Sequence, residues 1–438
     1  MAILKLSFFS KQQEAKPWSF PDEPQVNINQ FLYQRELGIN KTKRPVNYSS
    51  FVSSKIPYLL TESQIDLKDH DKIFSSHWIS DNEIIVGTKC NKLLILNIKT
   101  NKRFEIPLVT EDLNDQNNNN TTTTTSSSSS PSNEPPEVNN NNCLGIRSIA
   151  VNPSRTLLAV GAGNPVQITI YELPSFEPVV VFAGHNDLVF SVAWIDDYHV
   201  VSGSRDGTVR FWSMESEIIS EMQLLPHKYI NIHQPLLTRT ERGCKVRDLQ
   251  FNPNNKQVMT LSTAGYVRIW DASYLNQISK IQLMHTNENV CVSMNSKVNL
   301  FVVGSQAHIS VLDPRTTSIV HEIDSVDDGW GVRSLNFKDH LITTGGGFGR
   351  LSFYDMRAQK YLEFPTKAEN NETSLVSKYK ETGSGWLQHD SVYINHFAGF
   401  ALQNAIYTLS YDQSGTKLFT GGGPLQLGLK GSYAAVWS

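Results

Sequence analysis

Three residues in the middle of the chain, His185, Ser202 and Asp206, are of the types that form a hydrolytic triad. In such a triad the histidine takes the proton of the serine hydroxyl, and the carboxylate orients the imidazole. A nucleophilic serine of this kind usually lies in a G-x-S-x-G turn between a strand and a helix. Ser202 instead opens the run S-G-S-R-D-G. A hydrolase is therefore only an alternative, and a structural role for these residues is favoured.

Other signatures of catalysis are missing from the sequence. The glycine runs at 345–347 and 421–423 give neither G-x-G-x-x-G between a strand and a helix nor a G-K-[S/T] ending, so they fit turns. There is no H-E-x-x-H motif, and the four cysteines are far apart with no C-x-x-C pair. We predict a protein that is not an enzyme and that has no metal and no cofactor.

A second set of residues carries positive charge. Arginines follow the apolar residue that opens a strand-like run in I-R-S-I, V-R-D-L and V-R-S-L, and further cations lie just before such a run or in turns. The six predicted substrate-binding residues are Lys89, Arg147, Arg205, Lys245, Arg247 and Arg333. Because guanidinium groups bind carboxylates through paired hydrogen bonds, a convergent set would bind a compact acidic group on a peptide. The alternative is that each cation is solvated or pairs with an acid such as Asp248.

Composition limits the class of protein. The chain has 438 residues, 39 Lys and Arg, 42 Asp and Glu, a net charge of −3 and 39% hydrophobic residues. This balance argues against an extended basic coat for nucleic acid and against a wholly disordered chain. The start lacks a signal-peptide pattern, and no apolar run approaches the roughly 18 to 20 residues that span a bilayer. We expect a reducing compartment, in the cytoplasm and/or the nucleus.

The elements that must position these residues are revealed by an internal repeat. A short alternating apolar run, a turn signal and a second such run occur in seven copies, beginning at Ile73, Ile146, Val189, Val246, Asn289, Val332 and Ile406. Three of the steps between copies are 43 residues long. Alternation indicates strands, and a repeat of about 40 to 45 residues is typical of a four-stranded propeller blade.

The repeat resembles the WD40 family. The third copy carries Gly184-His185, Ser202, Asp206 and Trp212, and the fourth ends in Trp270-Asp271. In that family the His, Ser, Trp and Asp form a hydrogen-bonded ladder inside a blade. The resemblance implies an all-β protein with one seven-bladed WD40 propeller at 56–438, preceded by a short, partly helical extension at 1–55.

Closure of the ring and the inserts follow from the same repeat. The chain ends at Trp437-Ser438, at the close of a third strand, so the segment Ile56–Leu67 is expected to supply the outer strand of the last blade. The polar run at 112–142 is predicted to be a disordered loop, because it has too little apolar surface to offset the entropy of ordering. Longer inserts are expected at 216–243 and 361–403.

A narrower resemblance is carried by strings that propeller folding does not require. They are GTKCN (87–91), NPSRTLLA (152–159), SGSRDG (202–207), ENVC (288–291), GSQAH (304–308), LDPR (312–315), FYDMRAQ (353–359), YDQSGTKLF (411–419) and GGPL (422–425). Together they make the chain similar to the family of DDB1- and cullin-4-associated factor 12. Members of this family are substrate receptors of cullin-4 RING ubiquitin ligases, and they dock through an adaptor that is itself made of propellers.

The family resemblance implies a docking signature, Asp-x-Arg after the third strand of a blade. It occurs as Asp313-Pro314-Arg315 and as Asp355-Met356-Arg357, with Arg357 the first choice for docking. Both copies depart from the usual preceding Trp. The alternative is a local ion pair that closes a turn. The family also places an N-terminal helix in the adaptor. Here a helix near 26–39 would present Ile28, Phe31, Leu32 and Arg35 at helical spacing.

The resemblance further implies that the receptor recognises proteins with acidic C-termini, of the Glu-Glu type, which agrees with the basic positions. The expected partners are the propeller adaptor, the cullin-4 RING assembly and substrates with acidic C-termini, without nucleic acid or membrane. Ubiquitin transfer would be performed by other subunits. The alternative is a WD40 scaffold for protein assembly without a link to a ligase.

Overall fold

The computed structural model describes residues 48–109, 145–214, 231–240, 244–327, 329–365 and 376–438. The predicted adaptor helix near 26–39, with Ile28, Phe31, Leu32 and Arg35, and the predicted loop 112–142 lie outside these residues. The inserts at 216–243 and 361–403 are described only in part. These assignments, and the division of the chain at residue 56, stay predictions.

Alternation of apolar and polar residues along short runs gives strands throughout the described chain. The strands of the first half are β1 (Glu62–Gln64), β2 (Ile73–Trp78), β3 (Glu83–Thr88), β4 (Leu93–Asn97), β5 (Lys102–Ile106), β6 (Ser148–Val151), β7 (Leu157–Gly163), β8 (Val166–Glu172), β9 (Pro178–Ala183), β10 (Val189–Trp194), β11 (His199–Ser204), β12 (Thr208–Ser213), β13 (Asn231–His233), β14 (Leu237–Thr240), β15 (Val246–Asn252) and β16 (Gln257–Ser262). Those of the second half are β17 (Tyr266–Asp271), β18 (Gln277–Gln282), β19 (Cys291–Asn295), β20 (Leu300–Gly304), β21 (His308–Asp313), β22 (Ser318–Asp324), β23 (Val332–Lys338), β24 (Leu341–Gly346), β25 (Arg350–Asp355), β26 (Lys360–Tyr361), β27 (Phe364–Pro365), β28 (Val376–Ser377), β29 (Tyr379–Glu381), β30 (Trp386–Leu387), β31 (Asn404–Tyr411), β32 (Leu418–Pro424) and β33 (Gly431–Trp437). Two helices accompany them in the described residues, α1 (Tyr48–Leu59) and α2 (Ser391–His396).

The strands form a seven-bladed propeller, which confirms the predicted fold class. In chain order the blades are β2 to β5, β6 to β9, β10 to β12 with β14, β15 to β18, β19 to β22, β23 to β26, and β31 to β33 with β1. The two described inserts add strands at the blade edges. β13 pairs in parallel with β9 of the second blade, and β29 pairs with β25 of the sixth.

The first and last parts of the chain close the ring. β1 pairs antiparallel with β33, so that Glu62 lies opposite Trp437 and Gln64 opposite Ala435. The Glu62 carboxylate also accepts from the Tyr433 hydroxyl at 2.6 Å. The prediction that Ile56–Leu67 supplies this strand is correct for 62–64 and wrong for 56–59. Residues 56–59 are the last turn of α1, because Ile56 and Leu60 pack their apolar side chains against the sixth and seventh blades.

Packing between blades holds the innermost strands around a channel. Apolar side chains of neighbouring blades form shared clusters, as where Val246 and Leu249 of the fourth blade pack on Val201 of the third. Beneath the channel mouth, side-chain oxygens bridge one inner strand to the next. Ser334 Oγ donates to the Ile406 carbonyl at 2.8 Å, and Ser148 Oγ accepts from the Val192 amide at 2.7 Å. The inner strands are therefore fixed relative to one another, and so are the residues that open them.

Candidate functional site

The second residue of each repeat lies on the wall of the central channel. These residues surround one end of a cavity of about 270 Å³, and they are Phe74, Arg147, Phe190, Arg247, Val290, Arg333 and Tyr407. We call this set the channel ring. Three arginines alternate around it with aromatic or apolar residues. The predicted convergence of Arg147, Arg247 and Arg333 is what the register of the repeat produces.

The aromatic residues of the channel ring hold two of its arginines. The guanidinium carbon of Arg147 lies 4.0 Å from the centroid of the Phe74 ring, and that of Arg247 lies 4.4 Å from the centroid of the Phe190 ring. Such contacts attract the cation to the negative face of the ring and restrict its rotamers. Among the described residues neither Arg147 nor Arg247 forms an ion pair with a carboxylate, and Arg147 Nε is buried without a hydrogen bond. Asp248 lies near Arg247 and offsets part of its charge, whereas Arg147 has no such neighbour among the causes of its pKa shift.

Burial and mutual repulsion make this positive charge energetically unfavourable. Burial, with a smaller contribution from the nearby Arg247, lowers the pKa of Arg147 to about 10. Burial also lowers the pKa of Arg247; the nearby Asp248 opposes this decrease, and the charge of Arg333 adds to it. Both side chains stay protonated at neutral pH. An anion in the channel would relieve the repulsion, and it would be bound in surroundings where charges interact more strongly than in water.

Arg333 differs from the other two arginines because the protein supplies it with acceptors. Its Nη2 donates to the Glu288 carboxylate and, at 2.9 Å, to the carbonyl of Trp330. Glu288 precedes the inner strand of the neighbouring blade and has a φ of +53°. Arg333 Nε is buried without a hydrogen bond. One carboxylate of the protein therefore already occupies part of the site.

The other three predicted cations do not line the cavity. Lys89 Nζ pairs with Asp71 at 2.9 Å, Arg205 Nε lies 3.5 Å from the Asp187 carboxylate, and Lys245 is exposed. Lys89 and Arg205 sit in turns between the second and third strands of their blades, outside the inner strands. Arg205 is still near enough to lower the pKa of Arg147. The six cations thus form an inner set of three and an outer set of three.

The first Asp-x-Arg copy is closed by its own ion pair. The Asp313 carboxylate is buried, and Arg315 binds it through Nε at 3.0 Å and Nη2 at 2.7 Å. This bidentate pair fixes the turn between β21 and β22.

The second Asp-x-Arg copy is looser. Arg357 Nε lies 3.6 Å from the Asp355 carboxylate, and its Nη2 contacts the His340 ring at 2.7 Å. The Arg357 side chain is 40% exposed. Arg357 follows β25, which ends at Asp355, and it contacts His340 in the β23–β24 turn. Arg333 lies at the start of β23, so the two arginines are at opposite ends of the sixth blade.

Helix α1 lies on the same side of the propeller as Arg357. Ser53 Oγ donates to the Asp339 carboxylate at 2.9 Å, and Asp339 adjoins His340 in the β23–β24 turn. Val52 and Ile56 line a small pocket with residues of the same turn and of the last blade. Helix α1 is therefore held against the β23–β24 turn, whose His340 contacts Arg357.

The triad-like residues form a structural ladder. His185 Nδ1 lies 2.9 Å from Asp206, His185 Nε2 lies 2.7 Å from Ser202 Oγ, and Trp212 Nε1 donates to the same Oγ at 2.8 Å. Ser202 is fully buried, so a substrate carbonyl cannot reach its oxygen. Burial alone would raise the pKa of Asp206, but hydrogen bonds from His185 and Thr208 outweigh it and hold that pKa below its usual range.

Comparison with known proteins decides the family. The sequence-family model of the DDB1- and CUL4-associated factor 12 beta propeller matches residues 56–438 of this chain. The chain belongs to this family. The resemblance stated from the sequence is therefore confirmed, and proteins with such WD40 propellers are typically non-catalytic scaffolds or receptors.

Curated relatives match the chain at low identity. The chain is 26% identical to villidin of Dictyostelium discoideum over 245 residues, which are 52% of this chain and 14% of villidin. It is 28% identical to the target of rapamycin complex subunit wat1 of Schizosaccharomyces pombe over 129 residues, 29% of this chain and 35% of that protein. A ribosome biogenesis protein WDR12 homolog of Anopheles gambiae is 23% identical over 374 residues, 69% of this chain and 83% of the homolog. The chain thus spans well under half of the first two relatives.

For this member of the factor 12 propeller family, sequence reasoning missed one buried cation close to Arg147, Lys72, and considered Asp248 only as an ion-pair partner for the arginines. Lys72 is buried, its Nζ donates to the Gln426 carbonyl at 3.2 Å, and burial lowers its pKa to about 8. Asp248 faces the cavity beside Arg247, and burial raises its pKa to about 6. Lys72 directly precedes the first repeat, so repeat alignment could have found it. Asp248 stands where most other blades have serine or threonine.

In the described part of the factor 12 chain, no group of three or more His, Cys, Asp or Glu side chains could hold a metal ion. No described helix is long and apolar enough to cross a membrane.

Proposed function

We propose that this protein is a substrate receptor of a cullin-4 RING ubiquitin ligase and that its channel ring binds the acidic C-terminus of the substrate. The observation that carries the proposal is the pair Arg147 and Arg247. Each guanidinium lines the cavity against an aromatic ring, and among the described residues neither forms an ion pair with a carboxylate. The carboxyl group of Asp248 lies near Arg247, but burial raises its pKa to about 6, so it offsets only part of the positive charge. Buried charges in proteins are normally paired, so this arrangement calls for an anionic ligand.

The size and chemistry of the cavity favour a chain end. A volume of about 270 Å³ holds one or two side chains and excludes a folded domain or a nucleic-acid duplex. A C-terminus that ends in Glu-Glu presents three carboxylates within two residues. Three arginines around one channel offer matching paired donors. The third arginine becomes available when the ligand displaces Glu288.

The outer cations have a different role in the proposal. Lys89 and Arg205 are in partly exposed ion pairs, which contribute roughly 0 to 1 kcal/mol each. Together with Lys245 they surround the channel mouth with positive charge. Such a rim attracts acidic chains at long range and increases the association rate, and salt weakens this attraction.

Docking to the ligase is assigned to the opposite face. Arg357 is exposed there, and α1 attaches the N-terminal segment beside it. In the proposal, Arg357 and Asp355 contact the propeller adaptor together with Arg315 and Asp313 of the next blade. The segment 26–39, through Ile28, Phe31, Leu32 and Arg35, binds the same adaptor. Substrate and ligase would then occupy opposite ends of one rigid ring.

Peptide binding tests the substrate half of the proposal. A fluorescent peptide that ends in Glu-Glu is titrated with the full chain, beside the same peptide with a C-terminal amide. We expect the amide to bind at least tenfold more weakly, because it lacks one carboxylate. Arg247→Ala should weaken the acid peptide by a similar factor, whereas Arg103→Ala, on the exposed strand β5, should not. Equal affinity for acid and amide would refute recognition of the C-terminal carboxylate.

Purification from cells tests the docking half. Arg357→Ala should lose most of the adaptor and the cullin, and Arg103→Ala should retain them. A second candidate function, a WD40 scaffold without a ligase, is favoured by the tight local pairing of Asp313 with Arg315. That function predicts that both variants retain the same partners as the unaltered protein.

A further inference from the structure

An exposed tryptophan stands at the channel rim and takes no part in the functions described above. Trp330 is 44% exposed and lies between Gly329 and Gly331, whose φ angles are +81° and +91°. Residues with side chains rarely adopt such angles, so the glycines allow the chain to turn sharply on both sides of the indole. Large aromatic residues are usually buried, and an exposed one that the backbone presents in this way suggests a contact surface.

The backbone of this loop is tied to the channel ring. The Trp330 carbonyl accepts from Arg333 Nη2 at 2.9 Å, and the Gly331 carbonyl accepts from the Gly347 amide at 2.8 Å. A Cβ atom at Gly347 would lie only 2.1 Å from the Trp330 carbonyl oxygen. The loop is therefore pressed against the β24–β25 turn, and the position of Trp330 is coupled to that of an arginine in the site.

The indole is also supported from behind. Its ring stacks on Phe348, with centroids 5.5 Å apart and planes at 28°. Arg350 continues the row, 5.5 Å from the Phe348 centroid and 4.5 Å from the Tyr379 centroid. These side chains form a row that runs outward from the channel over the sixth blade, in the order Trp330, Phe348, Arg350 and Tyr379. Because Phe348 covers only part of Trp330, apolar surface remains open beside the channel mouth.

We propose that Trp330 binds an apolar side chain located a few residues upstream of the acidic C-terminus of the substrate. The inference rests on the proposed function and adds a specificity determinant to it. An extended peptide advances about 3.3 Å per residue. A residue two to four positions before the terminal carboxylate is thus about 7 to 13 Å away from it. The Trp330 carbonyl is one hydrogen bond from Arg333, which places the indole within reach of a chain that leaves the channel over the sixth blade.

The substrate side chain that Trp330 binds is expected to be apolar for two reasons. Contact with the exposed surface of the indole and of Phe348 is most favourable for an aliphatic or aromatic side chain, because both apolar surfaces are then removed from water. The acidic end of the ligand is already matched by the arginines, so a second acidic residue at Trp330 would find no donor on this ring system beyond its single N–H. The substrates are therefore peptides with an apolar residue followed, after a short spacing, by acidic residues at the C-terminus.

A peptide scan tests the proposal with the full chain. Glycine-serine peptides that end in Glu-Glu carry one leucine at successive positions upstream, and a parent peptide carries none. One or two leucine positions should bind about three- to tenfold more tightly than the parent. Trp330→Ala should remove this gain while leaving the affinity of the parent peptide unchanged, and Trp330→Phe should keep part of it. Tyr274→Ala removes an exposed aromatic residue from the turn after β17 and is the matched control.

The outcomes separate the two levels of the hypothesis. If the parent peptide binds and no leucine position improves its affinity, the role of Trp330 is refuted and the proposed function stands. A leucine gain that persists in Trp330→Ala also refutes it. If no Glu-Glu peptide binds at all, the proposed function fails and the inference fails with it.

Discussion

Replacing Ser202 with alanine separates a structural role of the His185, Ser202 and Asp206 cluster from a catalytic one. Burial lowers the pKa of His185, so its ring is neutral at pH 7. The Asp206 carboxylate accepts a hydrogen bond from the protonated Nδ1 of His185 at 2.9 Å. In a neutral ring the other nitrogen, Nε2, then carries no proton and acts as an acceptor. The Ser202 hydroxyl therefore donates to Nε2 at 2.7 Å, and its oxygen accepts from Trp212 Nε1 at 2.8 Å.

The size of the expected loss of stability follows from the two polar groups that lose their hydrogen-bond partner. In Ser202→Ala, the Trp212 N–H and the lone pair of His185 Nε2 are left buried without hydrogen bonds. Each loss costs about 1 to 3 kcal/mol, so the free energy of unfolding should fall by about 2 to 6 kcal/mol. An unfolding entropy of about 2 cal/mol/K per residue is about 0.8 kcal/mol/K for a ring of this size, which makes the decrease in Tm about 3 to 8 °C.

Scanning calorimetry of the full chain measures this decrease. Ser213→Ala is the matched control, because Ser213 lies in β12 and makes no side-chain hydrogen bond among the described residues; its Tm should change little. In a Trp212→Phe background the same Ser202 substitution should cost less, since the donor is already gone. Peptide affinity should be unchanged, because Ser202 does not line the channel. An unchanged Tm, together with loss of an ester-hydrolysing activity, would refute the structural reasoning.

Three further predictions concern the channel and its rim. Acidic peptides should bind several-fold more tightly at pH 5.5 than at pH 7.0 in a fluorescence titration. Burial raises the pKa of Asp248 to about 6, so protonation below that pH removes a negative charge, and Asp248→Asn should abolish the change. Lys72, with a pKa of about 8, is mostly protonated at both pH values. Glu288→Gln should tighten the same peptides by about two- to fivefold at pH 7.5, because a partly exposed pair with Arg333 of roughly 0 to 1 kcal/mol no longer competes. Gly347→Ala should lower Tm in calorimetry and weaken peptide binding, because its Cβ would lie 2.1 Å from the Trp330 carbonyl oxygen and the loop must move.

Each of these has its own control. The groups that face Asp248 are Arg247, which stays protonated, and the Cys291 thiol, whose pKa burial raises far above this range. Peptide glutamates, with a pKa of about 4.3, remain mostly ionised at pH 5.5. A pH dependence that persists in Asp248→Asn therefore contradicts the assignment. For Glu288, the control is Glu105→Gln on an outer strand, and weaker binding by Glu288→Gln would mean that Glu288 positions Arg333. A Tm of Gly347→Ala equal to that of the unaltered protein would contradict the close approach.

The ring and its register could be predicted because the sequence repeats. A strand has a period of two residues, so once copies of a repeat are aligned, every position in them has a defined side of the sheet. The alignment of Arg147, Arg247 and Arg333 predicted that they share one end of the channel, and they do. The ladder of the third blade was predicted for the same reason, since all four of its residue types are present.

The alignment could not predict features in which one residue type replaces another with the same function, or contacts between residues that are far apart in the sequence. In the fourth and seventh blades Thr260 and Thr420 take the place of the ladder serine, each accepting from a tryptophan N–H. These threonines serve because their hydroxyl is equivalent, but a search for the WD40 pattern passes over them. The ion pair of Glu288 with Arg333 joins residues 45 positions apart. Helix α1 forms because a nearby surface covers its apolar side chains, which local sequence does not reveal.

The alternation of arginine with aromatic residues explains how a chain with a net charge of −3 can present a strongly positive site. Three guanidinium groups around one channel repel one another, and burial adds a desolvation penalty to each. The blades bear these costs when they fold, since Phe74 and Phe190 hold Arg147 and Arg247 in place by cation–π contact. A carboxylate that enters the channel meets cations that the aromatic rings already orient. Lysines at these positions would keep more of their hydration and more rotamers, and they would offer no planar pair of donors. In the proposed function, arginines flanked by aromatic rings are thus the feature that fits a propeller channel to acidic chain ends.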